Sequence, residues 1–536
     1  MGSSNNTSEV KNINPDNLEK RDLQNTRDDT TNNEIQTRLI TFNDQSIYIQ
    51  IGYKYVRIVN SMLKIGIITT ISDIKTNQNR KCINYLSMVV NIREIALTNI
   101  GIVKMVLHRL ESMWMVMQVR ANVKKNDRSN LYPKSCNHKR ISKYYLLVSI
   151  TFGISGTIIS LMIRFELDSS SNRIMSYENL NIYLLCITLH GLLMIFYLVM
   201  PILIGSYGNY LLPICLGASE IIYPRINNIS ILIIPTTYEI IMLSMICEYG
   251  IGIGWTLYPP LSTSIITLTS IGIDLILYSL LISGISTTLT SINLLVTLHI
   301  WKPLILTFSN IDIYIWSLIL IGYMLIIVLP ILAGSLLMIL SDLHYNTIFF
   351  DSLYGGDPIF YQHIFWFFAH PEVYILMIPS FGLLSNILSE HINVILFGYQ
   401  SMILAMSCIT YLGSLVWSHH MFTIGMEIDS KTYFISSTLL ISLPTSSKMF
   451  NWLCTYLNTY LILRINNLSI IYIKMFLIMF TLGGSTGLIL GNNVIDISLH
   501  DTYYIVAHFH IVLSLGTIMT IFIGLSSYQE YLFMCI

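Results

Sequence analysis

Six histidines lie within or at the ends of long apolar segments of this chain. They are His190, His370, His419, His420, His508 and His510. An imidazole surrounded by lipid must be hydrogen-bonded or bound to a metal, and histidine is the commonest metal ligand. A single histidine of this kind is more often a hydrogen-bonded core residue than a ligand. Six of them together favour metal binding.

The spacing of these histidines suits more than one metal site. His508 and His510 are two residues apart, so on an α-helix their rings point about 200° apart and one helix could ligate two separate metals. His190 could then supply the second axial ligand to one of them. His419 and His420 are about 100° apart and could both reach one ion near a helix end. Three imidazoles with an open position suit copper. Two imidazoles across an iron suit an electron-transfer haem, and one imidazole with an open face suits oxygen binding.

Other side chains in the apolar segments could carry protons. His370 and Tyr374 are four residues apart, hence on one face of a helix. Glu372 lies two residues after His370, and a buried carboxylate there must be protonated or paired, which makes it a functional candidate. Lys448 is a lone lysine in an apolar stretch, so it either extends to the membrane surface or conducts protons.

The composition identifies the elements that must position these residues. Of 536 residues, 53% are hydrophobic and only 11% are charged, whereas a soluble domain has roughly 25% charged residues. A membrane-spanning helix needs about 20 apolar residues. The fold class is therefore predicted to be all-α, a polytopic transmembrane helix bundle, with ten spans at about 142–163, 182–204, 229–247, 264–298, 314–340, 364–388, 394–418, 433–457, 470–490 and 502–526. The sequence has no basic face for nucleic-acid binding, and the scattered cysteines indicate neither a zinc site nor a disulfide framework.

The region before these spans has a different character. Residues 1–40 are polar and are predicted to be disordered. Residues 41–137 form an atypical basic and apolar extension, in which 92–120 is either an interfacial amphipathic helix or part of a poorly structured segment, the latter being favoured. The membrane domain is predicted to cover 138–536.

Several phrases of the sequence resemble the catalytic subunit of haem–copper oxidases. They include FWFFAHPEVYIL (365–376), WSHHMFTIGMEID (417–429) and LHDTYYIVAHFHIVLSLG (499–516). The resemblance extends from about 138 to 530, over most of the chain. It implies two haems, a copper and a magnesium ion as cofactors.

The resemblance also implies a role for each candidate residue. The low-spin haem (haem a) would be held by His190 and His510, the high-spin haem (haem a3) by His508, and the copper (copper B) by His370, His419 and His420. Tyr374 would be covalently joined to His370 and would supply an electron and a proton. The haem environment would include Arg164 and Trp255, and the magnesium ligands would be His500 and Asp501.

Two proton routes follow from the same resemblance. The first would end at Glu372 and begin at Asn209, Glu220 and Asn227. Glu220 stands where the family usually has Asp, and it keeps the charge. The second route would use Thr445 and Lys448. The histidines outside the spans, His138, His299, His344, His363 and His391, are expected to be loop or edge residues.

The implied function is reduction of oxygen to water with electrons from cytochrome c, coupled to proton pumping across the mitochondrial inner membrane. The implied partners are oxidase subunits 2 and 3, cytochrome c acting through subunit 2, and membrane lipid. A quinol oxidase is the first alternative. The second is a non-catalytic truncated product, because the family has twelve spans and an Arg-Arg pair before the last one. We hypothesise that a separate polypeptide supplies the last two helices.

Overall fold

The computed structural model describes residues 136–168, 180–246, 252–264, 271–303, 306–458 and 468–533. Within these ranges the chain is helical and contains no β-strand. The polar segment 1–40 and the extension up to residue 135 lie outside the described residues, so what the sequence predicts for them stays a prediction.

The helices follow one another with short connections. In chain order they are α1 His138–Glu166, α2 Leu180–Leu192, α3 Asn209–Leu216, α4 Pro224–Leu243, α5 Ile271–Trp301, α6 Ile313–His344, α7 Pro358–Ile392, α8 Tyr399–Gly413, α9 Ile428–Leu440, α10 Ser442–Leu457, α11 Leu468–Leu490, α12 Asn493–Leu499, α13 Tyr503–Phe509 and α14 Gly516–Phe533. Two π-helical segments, Leu193–Val199 and Pro201–Gly208, continue α2 into α3, and a third, His510–Leu515, joins α13 to α14.

Eight helical segments among the described residues are long and apolar enough to cross a membrane. They are His138–Glu166, Asn181–Leu216, Pro224–Leu243, Ile271–Trp301, Ile313–His344, Pro358–Ile392, Leu468–Leu490 and Tyr503–Gln529. Each coincides with one of the ten predicted spans. The chain is therefore a multi-pass membrane protein, as its composition indicated.

The two remaining predicted spans, 394–418 and 433–457, are interrupted. The first contains α8, which has 15 residues and is followed by a 3₁₀ turn, Trp417–Met421. The second is divided at Ile441 into α9 and α10, of 13 and 16 residues. Pro444 explains this break, because it has no N–H to bond the carbonyl of Leu440. The length and hydropathy of a segment do not reveal such a break in its helix.

Helix α7 lies at the centre of the bundle. It packs against α6, α8, α10, α11, α14 and the 3₁₀ turn, and its buried residues run from Tyr361 to Leu388. His370, Glu372 and Tyr374 all belong to this helix. The chemistry-bearing residues of its middle are therefore enclosed by protein and shielded from lipid.

Candidate functional site

Three histidines from two elements converge beside α7. The side chains of His370, on α7, and of His419 and His420, on the 3₁₀ turn, place one ligand atom each within 4.8 Å of one another. His370 Nδ1 lies 3.0 Å from His420 Nε2. Metal-bound imidazole nitrogens lie about 2.0–2.1 Å from an ion such as zinc, so the cluster has close to the spacing that one ion needs. The donor set of three neutral imidazoles suits copper.

Neighbouring side chains hold this cluster in place. His419 Nδ1 lies 3.1 Å from the Thr438 hydroxyl on α9. The indole of Trp366 stacks on His420, with ring centroids 3.8 Å apart and planes inclined by 9°. The rings of two imidazoles are thus oriented by contacts outside the cluster, which is the usual arrangement around metal-ligating histidines.

Tyr374 packs against the first of these ligands. The ring centroids of His370 and Tyr374 are 4.7 Å apart, as their spacing of four residues on one helix predicts. His370 Nε2 is buried and has no hydrogen-bond partner among the described residues. Gly413, at the end of α8, makes room for the phenol ring, because a Cβ at this position would lie 2.7 Å from Tyr374 Cδ2.

A second pair of imidazoles faces the other side of the bundle. The rings of His190, on α2, and His510 are nearly parallel, with centroids 6.3 Å apart and planes inclined by 8°. His190 Nδ1 lies 3.0 Å from the carbonyl of Gly156 on α1, and His510 Nδ1 lies 2.8 Å from the carbonyl of Val506. If each Nδ1–H donates to its carbonyl, both Nε2 atoms remain available to bind a metal or a haem iron.

His508 points away from this pair. Its Nδ1 lies 2.9 Å from the carbonyl of Gly483 and 3.0 Å from the hydroxyl of Thr486, both on α11. Its neighbour His510 contacts His190 on α2. The two histidines therefore serve opposite sides of one helix, as their spacing predicted.

Aromatic side chains connect the two histidine sites. Trp255 lies against Gly191, next to His190, where an added Cβ would come within 3.1 Å of the tryptophan Cβ. Its ring centroid is 6.0 Å from that of Trp366, which stacks on His420. Trp366 also donates a hydrogen bond from Nε1 to the Tyr258 hydroxyl. Trp255 was predicted from the family resemblance, whereas Trp366 was not, although it lies four residues before His370.

Glu372 is enclosed by the bundle. The residue is 2% exposed, and its Oε1 atom is buried without a hydrogen-bond partner among the described residues. It follows Pro371, which cannot donate a backbone hydrogen bond within α7. A carboxyl group in this position is a candidate for proton transfer.

The predicted mouth of the first proton route is a linked set of polar residues. Asn209 Nδ2 lies 2.9 Å from Asn227 Oδ1. Glu220 accepts a hydrogen bond from the backbone N–H of His138 and lies 2.9 Å from its Nδ1. His138 is the first residue of α1, at the edge of that span, but it is buried, with 3% of its surface exposed. It is buried because it pairs with Glu220, a contact across 82 residues that the sequence does not reveal.

Hydroxyl groups continue inward from this mouth. The Tyr145 hydroxyl donates to Ser230 Oγ at 2.7 Å, and Ser230 donates to the carbonyl of Asn227 at 2.8 Å. Ser286 Oγ donates to the carbonyl of Ser230 at 2.7 Å. Tyr145 and Ser286 line a cavity of about 20 Å³, which is large enough for one water molecule. These hydroxyls were not predicted, because Ser and Tyr are common in membrane helices and have no distinctive spacing here.

Lys448 is the most deeply buried cation among the described residues. It is 1% exposed, and its Nζ has no hydrogen-bond partner. The ammonium group lies 4.1 Å from the ring centroid of Phe381 and 5.5 Å from that of Trp452. Thr445, one turn earlier on α10, donates its hydroxyl to the carbonyl of Ile441 at 2.8 Å. Lys448 therefore does not extend to the membrane surface.

The predicted magnesium ligands, His500 and Asp501, lie close together, whereas Arg164, predicted to lie near a haem, is at the exposed end of α1. His500 Nε2 lies 3.8 Å from Asp501 Oδ1, and its Nδ1 lies 3.4 Å from Asp496 Oδ2. The Asp496 carboxylate raises the pKa of His500. Asp496 is buried and was missed, although its spacing of four residues from His500 could have indicated it. Arg164 is exposed in the last turn of α1, eight residues beyond the Gly156 carbonyl that contacts His190.

Comparisons with known proteins agree with this geometry. The sequence model of the family described as "Cytochrome C and Quinol oxidase polypeptide I" matches residues 140–533. Cytochrome c oxidase subunit 1 of Plasmodium chabaudi is 51% identical over 399 residues, which cover 74% of this chain and 83% of the relative. The protein of the same name from Plasmodium falciparum is 50% identical over the same shares, and that from Eremothecium gossypii is 43% identical over 73% of this chain and 72% of the relative.

Proposed function

The chain belongs to the family described as cytochrome c and quinol oxidase polypeptide I, and we propose a role in that family's chemistry for each group of residues at its site. Membership makes it an oxidoreductase, the catalytic subunit of a cytochrome c oxidase, that binds haem and copper and works in a complex with other oxidase subunits. The quinol oxidase alternative is not favoured, since the relatives compared are cytochrome c oxidase subunits. The same comparisons give no support to a non-catalytic product.

The assignment of the oxygen-reducing centre rests on the cluster of His370, His419 and His420 beside Tyr374. Copper held by these three histidines, together with a haem held by His508, would supply the electron transfer that reduces oxygen. His370 directs Nδ1 toward His420, which leaves its buried Nε2 for the link to Tyr374 that the family resemblance implies. The phenol is then held within the site, where it can give up a proton and an electron.

The remaining histidines are assigned to two haems by their direction. His190 and His510 would hold the low-spin haem a, because their rings are nearly parallel and their Nδ1 atoms are occupied by backbone carbonyls. His508 would hold the high-spin haem a3 through Nε2, since Gly483 and Thr486 occupy its Nδ1. Hydrogen bonds of this kind fix the tautomer and the ring orientation of a ligating histidine.

Protons for the reaction would reach Glu372 along a route that begins at the residues of α3 and of the segment after it. We place the mouth of this route at Glu220 and His138, followed by Asn209 and Asn227. The hydroxyls of Tyr145, Ser230 and Ser286 then extend it into the bundle. A carboxyl group with an oxygen that has no hydrogen-bond partner can take up and release a proton at one position. A carboxylate whose oxygens all accept fixed hydrogen bonds cannot.

Lys448 and Thr445 would form the second route. The support for it is the burial of an amine that has no hydrogen-bond partner. Burying such a group costs free energy, and a role in proton transfer would explain why the protein retains it. We further assign His500 and Asp501, joined by Asp496, to a magnesium ion. Trp255 and Arg164 are assigned to the surroundings of the low-spin haem.

Oxidase subunits 2 and 3 and cytochrome c are the proposed partners, in the mitochondrial inner membrane.

A reduced-minus-oxidised visible spectrum of the purified complex tests the proposal. Two haem signals are expected, with carbon monoxide binding to only one of them. Replacement of His190 by Ala should remove the signal that does not bind carbon monoxide, while replacement of His508 by Ala should remove the one that does. Loss of the same signal in both variants would refute the assignment of the two haems.

A further inference from the structure

One carboxyl group faces outward from the interior of a membrane span. Glu239 is an exposed residue of α4, about 22 Å along the helix from Pro224 at 1.5 Å per residue. The exposed Arg225, in the first turn of α4, can reach the lipid headgroups. Beyond Glu239 the outward surface is apolar again, since Leu243 and Ile246 are 49% and 62% exposed. The carboxyl group therefore lies at the depth of the hydrocarbon core, which is about 30 Å thick.

The outward residues of α4 and of the turn after it form a single stripe. They follow one another in alternating steps of three and four positions, which is the spacing of a helix face that packs lengthwise against another helix. The opposite face, with Ile231, Ile234 and Ile241, is buried against α1 and α5. The stripe consists of Ile229, Leu232, Thr236, Glu239, Leu243 and Ile246, and we call it the outer stripe.

Two polar residues occupy the centre of the outer stripe. Thr236 lies three residues before Glu239, hence next to it on the helix surface. Its hydroxyl donates to the carbonyl of Leu232 at 3.3 Å, so the hydroxyl oxygen is still able to accept. Glu239 has no ion-pair partner among the described residues. A charged group at this depth is costly, and such groups almost always face the bundle interior or pair with one another.

Three other charged groups within the described spans are placed differently. Glu372 and Lys448 are enclosed by the bundle. Lys474 is half-buried, with its ammonium group beside the Tyr456 ring, and a lysine can extend its long stem to the headgroups. Glutamate has a shorter stem, so Glu239 cannot leave the hydrocarbon core in this way. Its partner must come to it.

Charge decides what can cover the outer stripe. Lipid tails offer no partner to a carboxylate. A second copy of this chain in a two-fold contact would bring two carboxylates together, because such an interface pairs a surface with itself. A helix that carries Lys or Arg supplies the opposite charge and several donors, which could bond both Glu239 and the Thr236 oxygen.

We propose that the outer stripe binds a transmembrane helix of another polypeptide, and that a Lys or Arg of this helix pairs with Glu239. This contact serves assembly and does not depend on the roles given above to the histidines and the proton routes. The apolar residues of the outer stripe pack against the partner helix, while the ion pair sets which helix binds and at what depth. A helix without the basic residue leaves the carboxylate unpaired within the membrane, which makes the contact specific.

Dicyclohexylcarbodiimide tests whether the carboxylate is paired in the native complex. This reagent dissolves in the membrane and reacts with carboxyl groups in their protonated form. Glu239 should stay unmodified in the assembled oxidase and should become modified once detergent has removed the companion chains, as read by mass spectrometry of the α4 peptide. Modification of Glu239 in the assembled oxidase would show a neutral acid facing lipid and would overturn the proposal.

Charge reversal identifies the partner. Glu239→Lys should lower the molar ratio of one companion chain in the purified complex at least about tenfold, because like charges at a contact suppress binding. The chain that is lost should contain a span with Lys or Arg, and changing that residue to Glu should restore its ratio in the Glu239→Lys background. Glu239→Asp keeps the charge and should retain the chain.

A matched variant controls for the introduction of a lysine into a span. Ile327 is 61% exposed in the interior of α6, and Ile327→Lys should retain every companion chain. Loss of the same chain from both lysine variants would show a general effect of charge in the membrane and would overturn the proposal.

Three further outcomes decide the matter. Retention of every companion chain by Glu239→Lys would refute the pairing, as would the loss of a chain that has no basic residue in its spans. Release of a second copy of this chain alone would make the outer stripe a contact between copies, contrary to the proposal. Should Glu239→Lys fail to assemble, the carbodiimide result on the wild-type complex decides.

Discussion

Replacing Lys448 with Met should make the protein more stable and its oxygen-binding haem slower to reduce. The amine is 1% exposed and has no hydrogen-bond partner, and a buried polar group in this state costs about 1–3 kcal/mol in protein mutational data. Methionine has a similar length and no polar hydrogen. The substitution therefore removes this cost without opening a cavity.

The aromatic neighbours reduce the expected gain. The ammonium group lies 4.1 Å from the centroid of Phe381, and a desolvated cation–π contact contributes up to about 2 kcal/mol when the amine is charged. A neutral amine lacks this contribution. A protonated amine adds the larger cost of burying a charge, which the cation–π contact offsets only in part. We therefore expect Lys448→Met to stabilise the fold by about 1 kcal/mol or more when Lys448 is neutral, and by more when it is protonated.

The assay has two readouts on the same preparation. Stability is measured as the denaturant concentration at which half of the haem absorbance is lost, and function as the stopped-flow rate of haem reduction. Lys474→Met is the matched control, because Lys474 is half-buried on the neighbouring α11 with its ammonium group 5.2 Å from the Tyr456 ring centroid. It should change neither readout by much, as surface substitutions usually stay within about 0.5 kcal/mol. A lower denaturation midpoint for Lys448→Met would show that the amine makes a stabilising contact, and an unchanged reduction rate would remove it from the proton route.

Three further substitutions test the active site. His370→Ala should remove the copper and leave both haems bound, and metal analysis that finds copper retained would contradict its role as a ligand. Glu372→Gln should nearly abolish turnover with an almost unchanged oxidised spectrum, because an amide keeps the shape but cannot carry a proton at neutral pH; oxygen consumption at the wild-type rate would mean that protons arrive elsewhere. Gly413→Ala should lower turnover several-fold with full metal content, because the new Cβ would lie 2.7 Å from Tyr374 Cδ2 and displace the phenol; normal turnover would show that the ring position is not critical.

Properties set by local sequence could be predicted. The apolar length of a segment determines whether it can span a membrane, and eight spans were located in this way. Helical periodicity determines the direction of a side chain, so the opposite orientations of His508 and His510 and the contact of His370 with Tyr374 followed from their spacing. The convergence of His370 with His419 and His420 could be anticipated only through the family resemblance.

Contacts between distant segments could not be predicted. His138 is buried by Glu220, and Ser385 is held by Trp452, 67 residues away. Nothing in the composition of either neighbourhood marks these residues, because Ser is common within spans and a single His at a helix end has no distinctive spacing. Asp496 is a different case, since its helical spacing from His500 was visible and was not used.

Breaks in helical regularity mark the functional positions better than polar residues do. Irregular backbone at membrane depth is tolerated only where protein encloses it or where it lines a cavity. His190 lies three residues before a π-helical segment that begins at Leu193, and His510 begins another. Such segments are frequent at functional sites. Pro371 separates His370 from Glu372, and like Pro444 ahead of Lys448 it leaves a carbonyl one turn earlier without its usual donor.

Two lysines, Lys448 and Lys474, differ in the regularity of the helix around them and in their burial. Lys474 is also a cation within a span, but α11 is regular around it, and it partly reaches the surface. Lys448 follows the break at Ile441 and is fully enclosed. A polar residue in a regular helix can rotate toward lipid headgroups, whereas one beside a break is fixed by the protein that must cover the freed backbone groups. The proline or glycine beside the polar residue is therefore the sequence signal that separates a buried functional group from a surface one.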